Sequence, residues 1–182
     1  MACNTELNGI SRVCTNISGG VVEAHAIAKE HLVSATISDG ELTAADFGTG
    51  NEFAEYQFRQ GQAMANQDSE IDFESSTTVF NNNITIHFKG QDLVKRNELM
   101  LLSKAQQELV VFYKLDTGIW FALGMTNADN GDNFLGARVS EINGETGQNR
   151  SDTNEFVLQI AVTEDKELPL VVAESLIDDI LV

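Results

Sequence analysis

The sequence predicts a mostly β protein, an antiparallel β-sandwich or barrel with one packed α-helix. Segments of alternating apolar and polar residues recur at short intervals along the chain. One hairpin is plain from the residues alone, because the apolar segments 109–115 and 119–125 flank the turn Asp116-Thr117-Gly118. Only residues 92–107 have convincing helical periodicity, with Leu93, Met100 and Leu101 at helical spacing.

The remaining elements follow from the same alternation and from turn-forming residues. A loop is expected over 42–51, and Pro169 indicates that the last strand lies at a sheet edge. A long hairpin is expected, with arms 52–65 and 68–79 joined near Asn66-Gln67. The other predicted strands span 21–28, 34–37, 84–88, 134–142, 155–163 and 168–172.

Length and charge limit the possible functions. A chain of 182 residues suits one domain, here divided into an N-terminal arm (1–20), a β domain (21–172) and a C-terminal arm or short helix (173–182). The formal net charge is −17, from 11 basic and 28 acidic residues. Such a surface disfavours a tight grip on nucleic acid, which depends on Lys and Arg neutralising phosphates. It equally disfavours an anionic membrane as a partner.

No motif indicates catalysis or a cofactor. The glycines form neither a dinucleotide fingerprint nor a P-loop, and no nucleophile elbow occurs. The spacing of Cys3, Cys14, His25 and His31 matches no zinc finger. The segment 127–133 fails as an EF-hand loop, because its fifth position is a glycine and its sixth is not. We therefore expect no enzyme, no cofactor and no bound metal.

Two charged clusters are candidates for a functional surface. Glu70, Asp72 and Glu74 alternate with Ile71 and Phe73, so that the three acids share one face of the predicted strand and the apolar pair packs inward. A solvated outer face is the simpler interpretation of these acids. The sharper one is a surface that faces an anion which must not bind.

The second cluster lies on the predicted helix, which carries Lys95, Arg96 and Lys104 and follows Lys89. Four of the 11 basic residues thus fall within 89–104. A solvated basic face is again the simpler interpretation. The alternative is that the helix docks an acidic patch on another copy of the chain, a heterologous contact that generates rings or filaments.

The order of elements resembles the tail tube fold of tailed bacteriophages, which the type VI secretion tube protein shares. The resemblance is closest in three segments: the opening Met1-Ala2-Cys3 with Gly9-Ile10, Cys14 and Gly19-Gly20-Val21; the run Glu55-Tyr56-Gln57-Phe58-Arg59-Gln60-Gly61; and Glu164-Asp165-Lys166-Glu167-Leu168-Pro169-Leu170.

The resemblance implies a structural virion protein of the phage tail. Its subunits would form hexameric rings that stack into a hollow tube, with other copies and other tail proteins as partners and with DNA passing through unbound. Glu70, Asp72 and Glu74 would then line the lumen, and the helix over 92–107 would cover the outer side of the barrel. In such an assembly the charge of Lys95, Arg96 and Lys104, rather than the resemblance, indicates a contact with the next subunit. No membrane partner is implied.

Two alternatives stay open. One is another ring of the phage tail or neck, such as a terminator, completion or hub protein, which closes a ring without polymerising. The other is a non-viral β-sandwich that binds a sugar or lipid. Sugar binding usually relies on exposed aromatics, whereas Trp120 lies in an apolar strand and is expected in the core.

Overall fold

The structure of the chain is a computed structural model. It describes residues 19–38, 40–56, 58, 61–72, 74, 77–104, 108–125, 135–146, 154–165 and 168–181. In these ranges the chain forms strands β1 (Val21–Ala28), β2 (Ser34–Ser38), β3 (Glu41–Asp46), β4 (Ala54–Tyr56), β5 (Ala63–Asp72) and β6 (Thr77–Lys89), helix α1 (Leu93–Lys104), strands β7 (Leu109–Leu115), β8 (Trp120–Leu123), β9 (Arg138–Glu145), β10 (Glu155–Asp165) and β11 (Leu170–Val172), and helix α2 (Glu174–Ile180). A short 3₁₀ turn, Lys29–His31, follows β1.

The strands form two sheets that pack as a sandwich. Sheet A has the order β2-β3-β11-β8-β7-β1-β4, and sheet B has the order β5-β6-β10-β9. Neighbouring strands run antiparallel except β11 and β3, which are parallel. Within the described ranges neither sheet closes on itself. The predicted mostly β class is therefore confirmed, in its sandwich form, with α2 as a second helix.

One hydrophobic core lies between the two sheets. Alternate residues of β1 and β7 in sheet A face alternate residues of β6 and β10 in sheet B. The central contributors are fully buried: Val21, Val111, Ile84, Ile86, Leu158 and Ile160. Leu99 of α1 joins this core, so the helix closes one side of the sandwich.

A second core covers the other face of sheet A. It contains Phe112 and Trp120 from the sheet, Phe47 from the segment after β3, and Leu176 and Ile177 from α2. Because β7 is buried on both faces, its sequence is a continuous apolar run rather than an alternating one. The prediction that Trp120 belongs to the core is confirmed.

Three predictions about elements are wrong. The expected loop over 42–51 contains most of β3, where Leu42 is fully buried. The expected hairpin 52–79 is divided between sheets, since β4 pairs with β1 in sheet A and β5 with β6 in sheet B. The last strand is not an edge, because β11 lies between β3 and β8. Pro169 is tolerated there because it precedes the paired residues 170–172.

Candidate assembly surfaces

The outer face of sheet B is the side of the sheet turned away from the sandwich core. Its residues follow from the strand registers, since Cα partners in an antiparallel ladder share a face. Ala63 pairs with Ile86, which is in the core, so Met64 and its partner Thr85 point outward. The row continues across the sheet through Gln159 to Glu141.

This outer face is polar and rich in acid. Among the described residues it carries six carboxylates and two cations. The carboxylates are those of Asp68, Glu70, Asp72, Glu141, Glu145 and Glu155. The cations, Lys89 and Arg138, lie toward its borders, and Arg138 donates to the carboxylate of Glu108 at 2.7 Å. A phosphate chain that approaches the centre of this face therefore meets carboxylates and amides, with no cation among the described residues there.

His87 is the one described histidine on this face. Its Nδ1 lies 3.1 Å from Oε1 of Glu155, whose side chain is largely covered. Glu155 in turn is the Cα partner of Lys89 on one side and of Glu145 on the other. This end of the face is thus locally paired, whereas its acidity increases toward the opposite end of β6.

That opposite end is an arm, which we define as residues 66–72 of β5 with 77–79 of β6. Every residue from Asn66 to Asp72 on β5 is exposed, on both faces of the strand. Asp68, Glu70 and Asp72 continue the outer face of sheet B. Ile71 lies on the other side and is 55% exposed, so the expectation that it packs into its own subunit is wrong.

The structure places the predicted acidic residues in two settings. Glu70 and Asp72 share one face of β5, as expected. Glu74 lies past the end of the strand, in the turn, where its N–H donates to Oδ1 of Asp72 at 2.9 Å. Phe73 lies outside the described residues. The strand face thus carries Asp68, which the prediction omitted, together with Glu70 and Asp72.

Helix α1 presents its predicted face to solvent. Leu93, Val94 and Leu101 are 69%, 78% and 64% exposed, and Met100 is also exposed. The buried residue is Leu99, with Leu102 partly buried beside it. The pattern of Leu93, Met100 and Leu101 therefore marks an uncovered apolar stripe, which we call the helix face, rather than the core-facing side.

The predicted basic residues of α1 differ in their surroundings. The Lys95 ammonium donates to the carbonyls of Lys89 and Gly90 and to Asp92 Oδ2, at 2.8–3.1 Å. This pair lowers the pKa of Asp92. Arg96 is exposed and lies one helical turn from both Leu93 and Met100, at the rim of the helix face. Lys104 ends the helix, and its side chain lies outside the described set.

A groove separates α1 from the edge strand β4. It has a volume of about 390 Å³ and apolar walls that include Phe88, Val94 and Leu99. Tyr56 lies at its base, 7% exposed, and its hydroxyl has no hydrogen-bond partner among the described residues. Burial, and secondarily the Glu98 carboxylate, raises the pKa of this phenol. No pattern in the sequence indicates this groove, because two further strands separate β4 from α1 along the chain.

The described residues contain no cluster of three or more His, Cys, Asp or Glu side chains that could hold a metal. Cys3, Cys14 and the segment 127–133 lie outside those residues. In the same described ranges, no helix has the length and apolar character required to cross a membrane. In comparisons with known proteins, no protein-family model matches the chain, and no curated protein is significantly similar to it in sequence.

Proposed function

We propose that this protein is a structural subunit that assembles with itself into stacked rings, forming a hollow tube through which DNA passes. The observation that carries the proposal is the polar outer face of sheet B, whose described residues carry six carboxylates and, toward the borders, two cations. Six such faces arranged around an axis would form a wall that repels a phosphate backbone. The sequence resemblance to phage tail tube proteins supports the same assignment and supplies the sixfold symmetry.

The physical requirement on such a wall is weak binding. Each Lys or Arg that neutralises a phosphate releases counterions and strengthens the hold on DNA. A lining with six carboxylates and two border cations per subunit gives little such gain. Glu70 and Asp72 extend the lining along the arm, and Glu74 lies at the end of the arm.

Assembly is tested by negative-stain electron microscopy of the purified chain over a range of concentrations and salt. We expect rings or tubes whose number increases with concentration. A chain that stays monomeric throughout, by microscopy and by light scattering, contradicts the proposal. Rings that never stack favour the alternative of a terminator, completion or hub protein.

The lining is tested by reversing charge on it. Glu141→Lys with Glu145→Lys changes two exposed positions of β9 on the outer face of sheet B. Asp178→Lys with Asp179→Lys is a control of equal charge change on α2, at exposed positions outside sheet B. We expect tubes of the first variant, but not of the control, to retain DNA at low salt. Equal DNA retention by both variants removes the lining assignment.

The groove between β4 and α1 favours a second candidate function, that of a binding module. Its volume of about 390 Å³ lies within the range of small-molecule sites. Its apolar walls would suit an apolar ligand. A thermal-shift screen of lipids and glycans tests this candidate. A ligand that stabilises the wild type and not Val94→Asp, at an exposed position of the groove wall, supports it. A screen that finds no stabilising ligand contradicts it.

A further inference from the structure

We infer that the arm of one subunit docks on the helix face of a second copy of this chain, with Ile71 as its apolar contact. The inference rests on the proposed self-assembly and specifies its contact. It begins from two uncovered apolar features. Ile71 is exposed on the inner side of the arm, and the helix face exposes Leu93, Val94, Met100 and Leu101. The four apolar side chains of the helix face form a cluster of the kind that marks an interaction surface, and Ile71 is the apolar side chain that the arm offers to it.

The position of the two surfaces makes the contact intermolecular. The arm lies at the start of β6, and α1 begins four residues after the end of β6. A strand of 13 residues spans about 40 Å at roughly 3.3 Å per residue. An arm cannot reach the helix face of its own subunit across that span. Two different, complementary surfaces at opposite ends of a subunit produce a head-to-tail contact, which closes into a ring when the rotation permits.

Charge favours the same pairing. Residues 63–79 contain four acids and no Lys or Arg, whereas 89–104 contain four bases and two acids. Glu70 and Asp72 lie on the opposite side of the strand from Ile71. A single strand is thin, however, so these carboxylates remain within the Debye length of about 8–10 Å of a helix that Ile71 touches. Arg96, exposed at the rim of the helix face, would then attract these carboxylates through space rather than by direct contact.

The two faces of the arm then have different roles. The side with Asp68, Glu70 and Asp72 stays on the outer face of sheet B, which the proposed function assigns to the lumen. The side with Ile71, continued on β6 by Thr78 and the half-buried Phe80, meets the neighbour. Burying Ile71 and the helix face removes apolar surface from water on both subunits, which supplies the main driving force.

Site-directed cross-linking tests the contact. In a background with Cys3→Ser and Cys14→Ser, one protein carries Ile71→Cys and a second carries Leu101→Cys. We expect a short bis-maleimide to join them into dimers in a mixture, and not to join either protein to itself. Ile119→Cys, at an exposed position in the β7–β8 turn region, replaces Leu101→Cys as the control partner.

A charge exchange provides the second test. Arg96→Glu should raise the concentration for half-assembly about tenfold, and adding Glu70→Lys with Asp72→Lys should restore most of the loss. Circular dichroism checks that each variant is folded. If the Arg96→Glu variant assembles at the same concentration as the wild type, the inference is overturned.

The outcomes separate the contact from the proposed function. If the wild type forms rings but the cross-link between residues 71 and 101 does not form, only the inference is overturned and the proposed function stands. The cross-link in open chains that never form rings supports the contact and contradicts the tube. A monomeric wild type without the cross-link overturns both.

Discussion

Lys29 and Glu108 are joined twice, through their backbones and through their side chains. The Lys29 N–H donates to the Glu108 carbonyl at 2.8 Å, and its ammonium lies 2.7 Å from Glu108 Oε2. The other carboxylate oxygen accepts from Arg138 of β9 at 2.7 Å. The neighbouring residues Leu109 and Ala137 exchange two backbone hydrogen bonds. Sheets A and B are therefore connected at this corner by an ion pair and by backbone hydrogen bonds.

Replacing Glu108 tests how much the charged part of this corner contributes. Hydrogen bonds from Lys29, and then from Arg138, lower the pKa of the Glu108 carboxyl below its ordinary value of 4.5. A lowered pKa stabilises the fold above the unfolded value and ceases to do so as pH falls through the folded value. The side chain is about one-third exposed, so we expect Glu108→Gln to cost only about 1 kcal/mol at neutral pH.

That difference in unfolding free energy should shrink below pH 4.5 and vanish below the lowered pKa. Urea titrations of both proteins across this pH range measure it. Glu41→Gln, at an exposed position of β3, is the control and should change little. A deficit for Glu108→Gln that is independent of pH would show that the carboxylate charge does not contribute.

Gly124 is required at the same corner by a close approach. Its φ is +87°, and a Cβ there would lie 2.5 Å from the Leu109 carbonyl oxygen and 2.7 Å from the Ala137 nitrogen. Gly124→Ala should therefore destabilise the fold by about 3–4 kcal/mol. Gly118 has nearly the same φ, +88°, in open space, so Gly118→Ala should cost only about 1 kcal/mol. Thermal unfolding of the two variants separates the steric clash at residue 124 from the backbone strain that both share. Equal losses of stability in the two variants would refute the clash.

The two tyrosines of the chain should resist ionisation in the folded protein. Burial raises the pKa of Tyr113 to about 12, and that of Tyr56 is raised as well. A phenol whose pKa is raised in the folded state contributes stability below its ordinary pKa of 10. That contribution is lost as the pH rises through the pKa of the folded state. We expect the phenolate absorbance of the native protein to appear only with alkaline unfolding. A native-state titration near pH 10 would contradict the burial of both rings.

Replacing each tyrosine by phenylalanine compares a hydroxyl that has a hydrogen-bond partner with one that has none among the described residues. The Tyr113 hydroxyl hydrogen-bonds to Gln67, so Tyr113→Phe should lower the free energy of unfolding by about 1 kcal/mol. The Tyr56 hydroxyl has no partner among the described residues. Tyr56→Phe should therefore be neutral or stabilising by up to about 1 kcal/mol. Denaturant unfolding compares the two directly, and a larger loss for Tyr56→Phe would be inconsistent with this assignment.

The sequence predicted elements well where one physical signal dominates. Strand β1 and the hairpin of β7 and β8 are strongly apolar with clear turn residues, and both occur where expected. The arm was misplaced because its residues are exposed on both sides, so no burial pattern sets the position of the turn. Its turn lies between Asp72 and Thr77 rather than at Asn66.

The candidate site was predictable only in part. The acids of β5 and the exposed Arg96 could be found from charge spacing. The orientation of α1 could not, because the exposed apolar residues Leu93, Val94 and Leu101 outnumber the buried Leu99. Periodicity identifies an apolar stripe, but it cannot distinguish a stripe that packs in its own domain from one left for a neighbour.

The insertion of β11 between β3 and β8 has a consequence for biosynthesis. Among the described residues, the β2–β3 hairpin is hydrogen-bonded into sheet A only through this strand, which pairs with residues 41–42 on one side and 120–122 on the other. During synthesis, the β2–β3 hairpin therefore lacks its hydrogen-bonding partner strand until residues 170–172 have been made and released. A chain truncated before residue 170 should remain protease-sensitive over 34–46, whereas a released chain that includes residues 170–172 should protect this segment.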